Sequence, residues 1–290
     1  MVKIAAPVER ALAHRRETGG AGGPHARPLA SGAGWSVADV VCACGPDDRP
    51  FEERHAHYSI AIVAAGLFRY RTAHHAALMT PGSLMVGAIG HSYECGHEHG
   101  AGDRCIAFWY DAERFERLAA DAGIRGRPSA AGRVPPRREV APIVARAAAG
   151  VTGADAVGWE ELGIELAVRT LTLMQGAAHA PAAPPARTLA RVAAIARAID
   201  EEPSAPFDLA GMARDAGVSP YHFLRTFERA TGVTPHQYLV RARLREAARR
   251  LATGRAKMLD VALDCGFGDV SNFNHAFRRE FGVNPRGWTR

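Results

Sequence analysis

Two sets of side chains in this sequence have the types and spacing to do chemistry. The first is His55, His57, His91, Cys95, His97, His99 and Cys105, with Cys42-Ala-Cys44 just upstream. Imidazole nitrogens and thiolates are ligands for zinc, copper or nickel, and Cys95-Gly-His-Glu-His99 places three of them within five residues. Their spacing matches no standard zinc finger. A metal- or thiol-sensing site and a set of histidines that hydrogen-bond an organic ligand are therefore both open readings. The second set lies near the C-terminus: Ser219, Tyr221, Leu224, Arg225 and Arg229, then Val270, Ser271, Asn272, Asn274, His275, Arg278 and Arg279. An arginine fork matches a guanine edge, a carboxamide matches adenine, and Tyr and Leu can touch thymine methyls. Serine and the remaining cations suit phosphate.

The second set acquires its meaning from a pattern written twice between Asp208 and Trp288. Gly217 matches Gly266 at an offset of 49, while Phe223, Phe227, Gly232 and Pro235 match Phe273, Phe277, Gly282 and Pro285 at an offset of 50. One residue inserted in the second turn accounts for the change. Each copy reads as an apolar helix, a glycine turn and a second helix, which is the grammar of a helix-turn-helix. Leu209, Met212, Ala213 and Ala216 sit at helical spacing before Gly217, and Val261, Ala262 and Cys265 do the same before Gly266. Ser219 suits the N-cap of the following helix with Pro220 at its first position, and Asp269 or Ser271 suits the cap in the second copy. Phe223 and Phe227, four apart, must face inward, as must Phe273, Phe277 and Phe281. The outward positions are then the residues named above. Between the copies, Thr234 and Pro235 open a long helix to Leu251 that carries Arg241, Arg243, Arg245, Arg249 and Arg250, expected to be available to solvent or phosphate. Thr226 is expected to reach phosphate or cap its helix.

Two helix-turn-helix units joined by a long helix resemble the DNA-binding domain of the AraC/XylS family of transcription regulators. The carrying residues are Ala213 through Phe227 and the gapless signature from Asp260 to Pro285. The resemblance implies two recognition helices entering successive major grooves of a double-stranded DNA operator, a small-molecule effector domain, a homodimer and contact with RNA polymerase.

Ahead of these units, residues 1–34 combine a short basic helical pattern with Gly19-Gly-Ala-Gly-Gly-Pro24, which predicts a flexible segment. Strand-like runs follow over 35–44, 58–64, 67–71, 83–88 and 104–110, separated by turn signals, and predict an antiparallel barrel or sandwich. Here His55-Ala-His57, Gly66, Pro81-Gly82 and His91 resemble the degenerate signature of a cupin-like β-barrel, the usual effector domain of that family, which makes His55, His57 and His91 the effector-binding residues. Catalytic cupins supply a carboxylate a few residues after the first histidine pair. Tyr58-Ser-Ile-Ala-Ile62 stands there instead, so neither an enzyme nor catalytic residues are expected, and a cupin enzyme fused to a DNA-binding tail is the weaker alternative. Helical patterns over 112–122, 136–149 and 159–175 come next; the last is apolar around much of its circumference and reads either as a dimer interface or as a cover for the barrel.

The expected architecture is an α+β two-domain chain: a cupin-like domain over 35–176, a Pro/Ala-rich linker over 177–187 and an all-α domain over 188–290. The formal charge of +6 lies wholly in the last part. Residues 187–290 hold 17 Arg and Lys against 11 Asp and Glu, and residues 1–186 hold 19 against 19. Such asymmetry suits a phosphate-binding module joined to a neutral one. No long uncharged apolar run and no signal-like N-terminus is present, so a cytoplasmic protein without a membrane partner is expected. Five cysteines, an odd number, fit a reducing compartment rather than a disulfide framework. No cofactor is required; a metal ion at the His/Cys cluster is the one candidate.

Overall fold

The computed structural model describes residues 4–20, 22–50, 52–73, 76–98, 100–124, 132–152, 157–175, 185–252 and 257–288. The chain divides into two compact units, Met1–Ala148 with Val157–Ala183, and Ala149–Ala156 with Pro184–Arg290. The linker expected over 177–187 lies outside the described residues as far as 184.

In the first unit, α1 (Ala6–Thr18) precedes β1 (Pro24–Gly32), β2 (Trp35–Cys42), β3 (Glu52–Arg54), β4 (Tyr58–Gly66), β5 (Phe68–Thr72), β6 (Ala76–Met79), β7 (Leu84–Gly87), β8 (Ser92–Gly96) and β9 (Asp103–Tyr110). Then come α2 (Ala112–Asp121), β10 (Gly132–Val134), α3 (Ala141–Thr152), whose residues from Ala149 on count with the second unit, and α4 (Trp159–Gln175). The strands form two antiparallel sheets, ordered β1-β2-β9-β4-β7-β10 and β3-β8-β5-β6. Ala61, Val63, Cys105 and Ala107 of the first meet Phe68, Tyr70 and Met79 of the second in one buried core. The described strands thus make a sandwich and close no barrel, which corrects the barrel expected from the cupin-like signature: β10 and β1 end the larger sheet unpaired with the smaller one. Tyr110 donates to the Gly163 carbonyl at 2.8 Å, and Leu162, Leu166, Ala167 and Leu171 bury one face of α4 within this unit.

Residues 1–34 were expected to be flexible, yet α1 and β1 occupy most of them. The reason lies in the main chain: β1 is largely exposed and contains two prolines, but it pairs with β2 from Pro24↔Cys42 to Gly32↔Trp35, with a register shift next to Pro28. Proline is accepted there because β1 is an edge strand. Below the sheet surface Arg104 donates twice to the Asp39 carboxylate, at 2.7 and 2.8 Å, and once to the Ile4 carbonyl at 2.8 Å, while Arg27 adds a further bond to Asp39 at 3.0 Å.

The second unit is helical: α5 (Ala186–Glu201), α6 (Leu209–Asp215), α7 (Pro220–Thr231), α8 (Pro235–Ala252), α9 (Met258–Asp264), α10 (Val270–Phe281) and α11 (Pro285–Trp288). Its core is aromatic. Phe223 packs on Phe227 and Phe227 edge-on to Tyr238, while Phe267, Phe273, Phe277, Phe281 and Trp288 form a second chain of rings. No helix among the described residues is long and apolar enough to cross a membrane.

Burial alone would raise the Asp39 pKa, but the Arg104 hydrogen bonds and charge more than reverse this and hold it below its ordinary value. Replacing Arg104 by alanine leaves the buried Asp39 carboxylate with the longer, exposed Arg27 bond in place of a bidentate partner, and should cost about 3–5 kcal/mol of unfolding free energy in chemical denaturation. The wild-type contribution is present above the ordinary carboxylate range and is lost as pH falls through the depressed value, so the gap between wild type and Arg104→Ala should narrow in acid.

Candidate nucleic-acid interface

The two copies of the C-terminal pattern coincide down to their hydrogen bonds. At the end of α6 the Gly217 N–H bonds the Arg214 carbonyl and the Val218 N–H reaches Ala213; at the end of α9 Gly266 bonds Leu263 and Phe267 reaches Ala262. This six-to-one closure needs a left-handed residue, and Gly217 and Gly266 supply it at φ +65° and +84°. Ser219 Oγ then caps α7 by accepting from the His222 N–H at 3.3 Å, and Asp269 Oδ1 caps α10 by accepting from Asn272 at 2.7 Å. The inserted residue is therefore one extra position between glycine and cap, and of the two caps considered for the second helix the structure uses Asp269.

With Phe223 and Phe227 buried, α7 exposes Tyr221, His222, Arg225 and Arg229 and leaves Leu224 half-buried. Tyr221 is 75% exposed, an unusual position for a large aromatic side chain. Arg225 has 61% of its side chain in solvent and lies 3.7 Å from Glu228 one turn on. On α10 the exposed residues are Ser271, Asn272, His275, Arg278 and Arg279, with Val270 and Asn274 half-buried. One amide proton of Asn272 is held by Asp269 at 3.0 Å, which fixes the carboxamide while its oxygen stays unengaged by that bond. Each face thus offers donors, a carboxamide or an aromatic ring, and cations on a rigid helix.

Two expectations change. Thr226 is buried inside α7, so it neither caps the helix nor faces outward. The five arginines of α8 are engaged within the protein. Arg241 pairs with Glu280 at 2.9 Å, Arg245 with Asp200 at 2.9 Å, Arg249 and Arg250 with Glu246 at 2.5 and 2.7 Å, and Arg250 also with Asp264. Arg243 donates to the carbonyls of Pro203, Gly266 and Ala205 at 2.8, 2.8 and 3.1 Å. Charge on a helix shows in a sequence; the partners 23 to 40 residues away do not. The role of Arg243 in holding the turn of the second unit was missed for that reason.

In the first unit the expected effector-binding histidines are only partly gathered. His55 is buried, stacked on Tyr93 at 4.1 Å between centroids, with Tyr70 Oη 3.4 Å from Nε2 and Ser59 Oγ 3.3 Å from Nδ1. His91 is exposed, and its carbonyl accepts the His55 N–H at 3.1 Å. His57 is also exposed, although it is two residues away in the chain. The seven His and Cys residues expected to gather around a metal separate as well. Cys105 lies in the sandwich core with Cys95 packed against it and donates to Asp103 Oδ1 at 3.4 Å, His97 bonds the other oxygen of that carboxylate at 2.6 Å, and His99 falls outside the described residues. Burial raises the thiols of Cys42, Cys44, Cys95 and Cys105, which makes them poor nucleophiles.

Residues 212–290 match a family described as a helix-turn-helix domain. The HTH-type transcriptional activator RhaS of Escherichia coli O139:H28 is 45% identical over 62 residues, which are 21% of this chain and 22% of that protein. RhaS of Yersinia pestis strain Pestoides F is 42% identical over 62 residues, 21% of this chain and 23% of the relative. The chain therefore spans less than a quarter of the length of the curated relatives it matches. Among solved structures, the DNA-binding domain of AdpA in complex with a target DNA is 30% identical over 34% of this chain and 89% of that one, with a TM-score of 0.33. ToxT from Vibrio cholerae O395 is 11% identical over 89% of this chain and 98% of its own, with a TM-score of 0.36.

Because Arg243 is structural and Arg278 projects outward, their substitutions should separate. Arg243→Met should lower the stability of the second unit by roughly 1.5–3 kcal/mol, the range for hydrogen bonds from a charged donor, whereas Arg278→Ala should stay within about 0.5 kcal/mol. Denaturant titration of both variants reads the difference. Burial, with a smaller effect of the His91 charge, lowers the His55 pKa to about 4. Its folded value lies below the unfolded one, so the stability it supports is complete above the ordinary 6.5 and is lost as pH falls toward 4. His55→Gln should flatten that limb of the stability–pH curve relative to wild type.

Proposed function

We propose that this chain, whose C-terminal unit belongs to the AraC/XylS family of DNA-binding regulators, is a sequence-specific transcription regulator that reads double-stranded operator DNA with α7 and α10. The observation that carries this reading is the matched pair of capped helices, each with its phenylalanines buried and a polar, cation-bearing face exposed. In α7, Arg225 meets a guanine edge, with Glu228 orienting its guanidinium, and Tyr221 and Leu224 touch thymine methyls or sugars. In α10, Asn272 and Asn274 face adenine, His275 donates or accepts, Ser271 and Val270 line the approach, and Arg278 and Arg279 hold phosphates. Ser219 and Arg229 position α7 on the backbone. The buried positions repeat between the two units while the outward ones differ, so each unit reads its own sequence and the half-site is not a palindrome.

The first unit is the effector-binding part in this reading. The buried His55, flanked by Ser59, Tyr70 and Tyr93, offers neutral hydrogen-bonding groups of the kind that recognise a small organic molecule, with His91 at its exposed edge and His57 nearby in sequence. Effector binding would shift the arrangement of a homodimer whose recognition helices meet spaced half-sites, activating or repressing transcription, with RNA polymerase as a further partner.

A mobility-shift titration on an operator selected from random sequence tests the DNA part. Arg225→Ala and Asn272→Ala should each weaken specific binding by about 1–3 kcal/mol and relax preference at one base position. Affinity should fall steeply with salt as phosphate contacts release counterions. Variants that bind as tightly and selectively as wild type, or a flat salt dependence, would remove the assignment of these faces.

A further inference from the structure

One cluster is used by none of the functions above. Cys42 closes β2, Cys44 follows two residues later and His97 follows β8; all three are buried, and one ligand atom from each lies within 4.8 Å of the other two. We propose that Cys42, Cys44 and His97 form a binding site for a thiophilic d10 cation, Zn²⁺ or Cu⁺. Cysteine sulfur and imidazole nitrogen are the donors such ions select, and two thiolates with one imidazole are a known zinc set that leaves a fourth position open. Tetrahedral zinc with 2.3 Å bonds to sulfur needs the two sulfurs about 3.8 Å apart, so closure from within 4.8 Å asks only for small side-chain rotations.

The surroundings are those of a built site. Asp103 Oδ2 accepts from His97 Nε2 at 2.6 Å, which fixes the tautomer and leaves the Nδ1 lone pair for a metal, and Phe68 stacks on the same ring. A carboxylate behind a ligating histidine is the usual support of such a centre. The cysteine backbone is held on both sides: the Gly102 N–H bonds the Cys44 carbonyl at 2.7 Å, and the Ala43 N–H bonds Gly23 at 3.3 Å. Arg15 of α1 donates to the Ala43 carbonyl at 2.7 Å and is anchored by two bonds to Asp48. It thereby sets a cation beside two prospective thiolates. Val8 and Leu12 of the same helix crowd Gly102 so closely that a Cβ there would meet Val8 at 2.5 Å. The N-terminal helix thus covers the site, and the site is a different set from the one read between positions 55 and 105, sharing only His97 with it.

The test uses the full chain, reduced and freed of metal. Titration with Co²⁺ should produce a thiolate-to-cobalt charge-transfer band and tetrahedral d–d bands that saturate at one equivalent, with Zn²⁺ displacing the cobalt. Anaerobic competition against a chromophoric chelator measures Cu⁺. Tight one-to-one binding of either ion supports the site and names the ion. Bound metal should protect Cys42 and Cys44 from alkylation, read by peptide mass spectrometry. The double variant Cys42→Ser, Cys44→Ser should lose the band, and Asp103→Asn should weaken binding by about 10- to 100-fold while keeping one equivalent. If the serine variants do not fold, the protection pattern in wild type decides. Absence of stoichiometric binding of both ions to wild type, or protection of other cysteines, overturns the proposal.

Discussion

One guanidinium holds the second unit together at its least regular point. Arg243, on the long helix between the two repeats, donates to the carbonyls of Pro203 and Ala205 ahead of the first repeat and of Gly266 in the turn of the second. Carbonyls in irregular segments lack the ladder partners of helices and strands, and Arg243 supplies donors to three of them. The same helix anchors α5 through Arg245 and Tyr238 on Asp200, α10 through Arg241 on Glu280 and α9 through Arg250 on Asp264. It acts as a strut whose charges are spent inside the protein. Of the exposed cations of this unit, Arg225, Arg229, Arg278 and Arg279 project from α7 and α10.

The first unit solves a different problem, polar groups within a sandwich. Asp39 and Arg104 lie on paired strands and satisfy each other in a bidentate geometry, which suits a buried ion pair because the remaining guanidinium donor also finds a carbonyl. His55 is handled by neutrality: its neighbours are hydroxyls and an aromatic ring, and burial disfavours the imidazolium.

The second unit was largely legible in the sequence because its signal is periodic. Phenylalanines at four-residue spacing, glycines at helix ends and Ser219 before Pro220 each carry a local cause, and the helices follow them within a residue or two. The destinations of Arg241, Arg243 and Arg245 were not legible, since periodicity says which face a side chain occupies and nothing about a partner on another element. The strands β3 and β8, of mixed charged and polar composition, also went unread, and β1 went unread because its order comes from main-chain pairing and not from apolar side chains. The cupin-like signature located the strands' turns but not their closure. His57 illustrates the limit: adjacency in a motif did not bring it into the core beside His55.

The helix-turn-helix caps leave one further mark. The bonds that close the turns and start α7 and α10 use main chain, Ser219 or Asp269, with Arg243 holding the Gly266 carbonyl, and the stripe that docks these helices is phenylalanine. Tyr221, Arg225, Ser271 and His275 contribute to none of those bonds. Substitutions at these surface positions therefore carry little folding penalty, so the outward faces of α7 and α10 can change through single mutations while the scaffold stays intact. The arginines of α8 lack that freedom, and lineages of this chain should diverge faster on those outward faces than along the strut behind them.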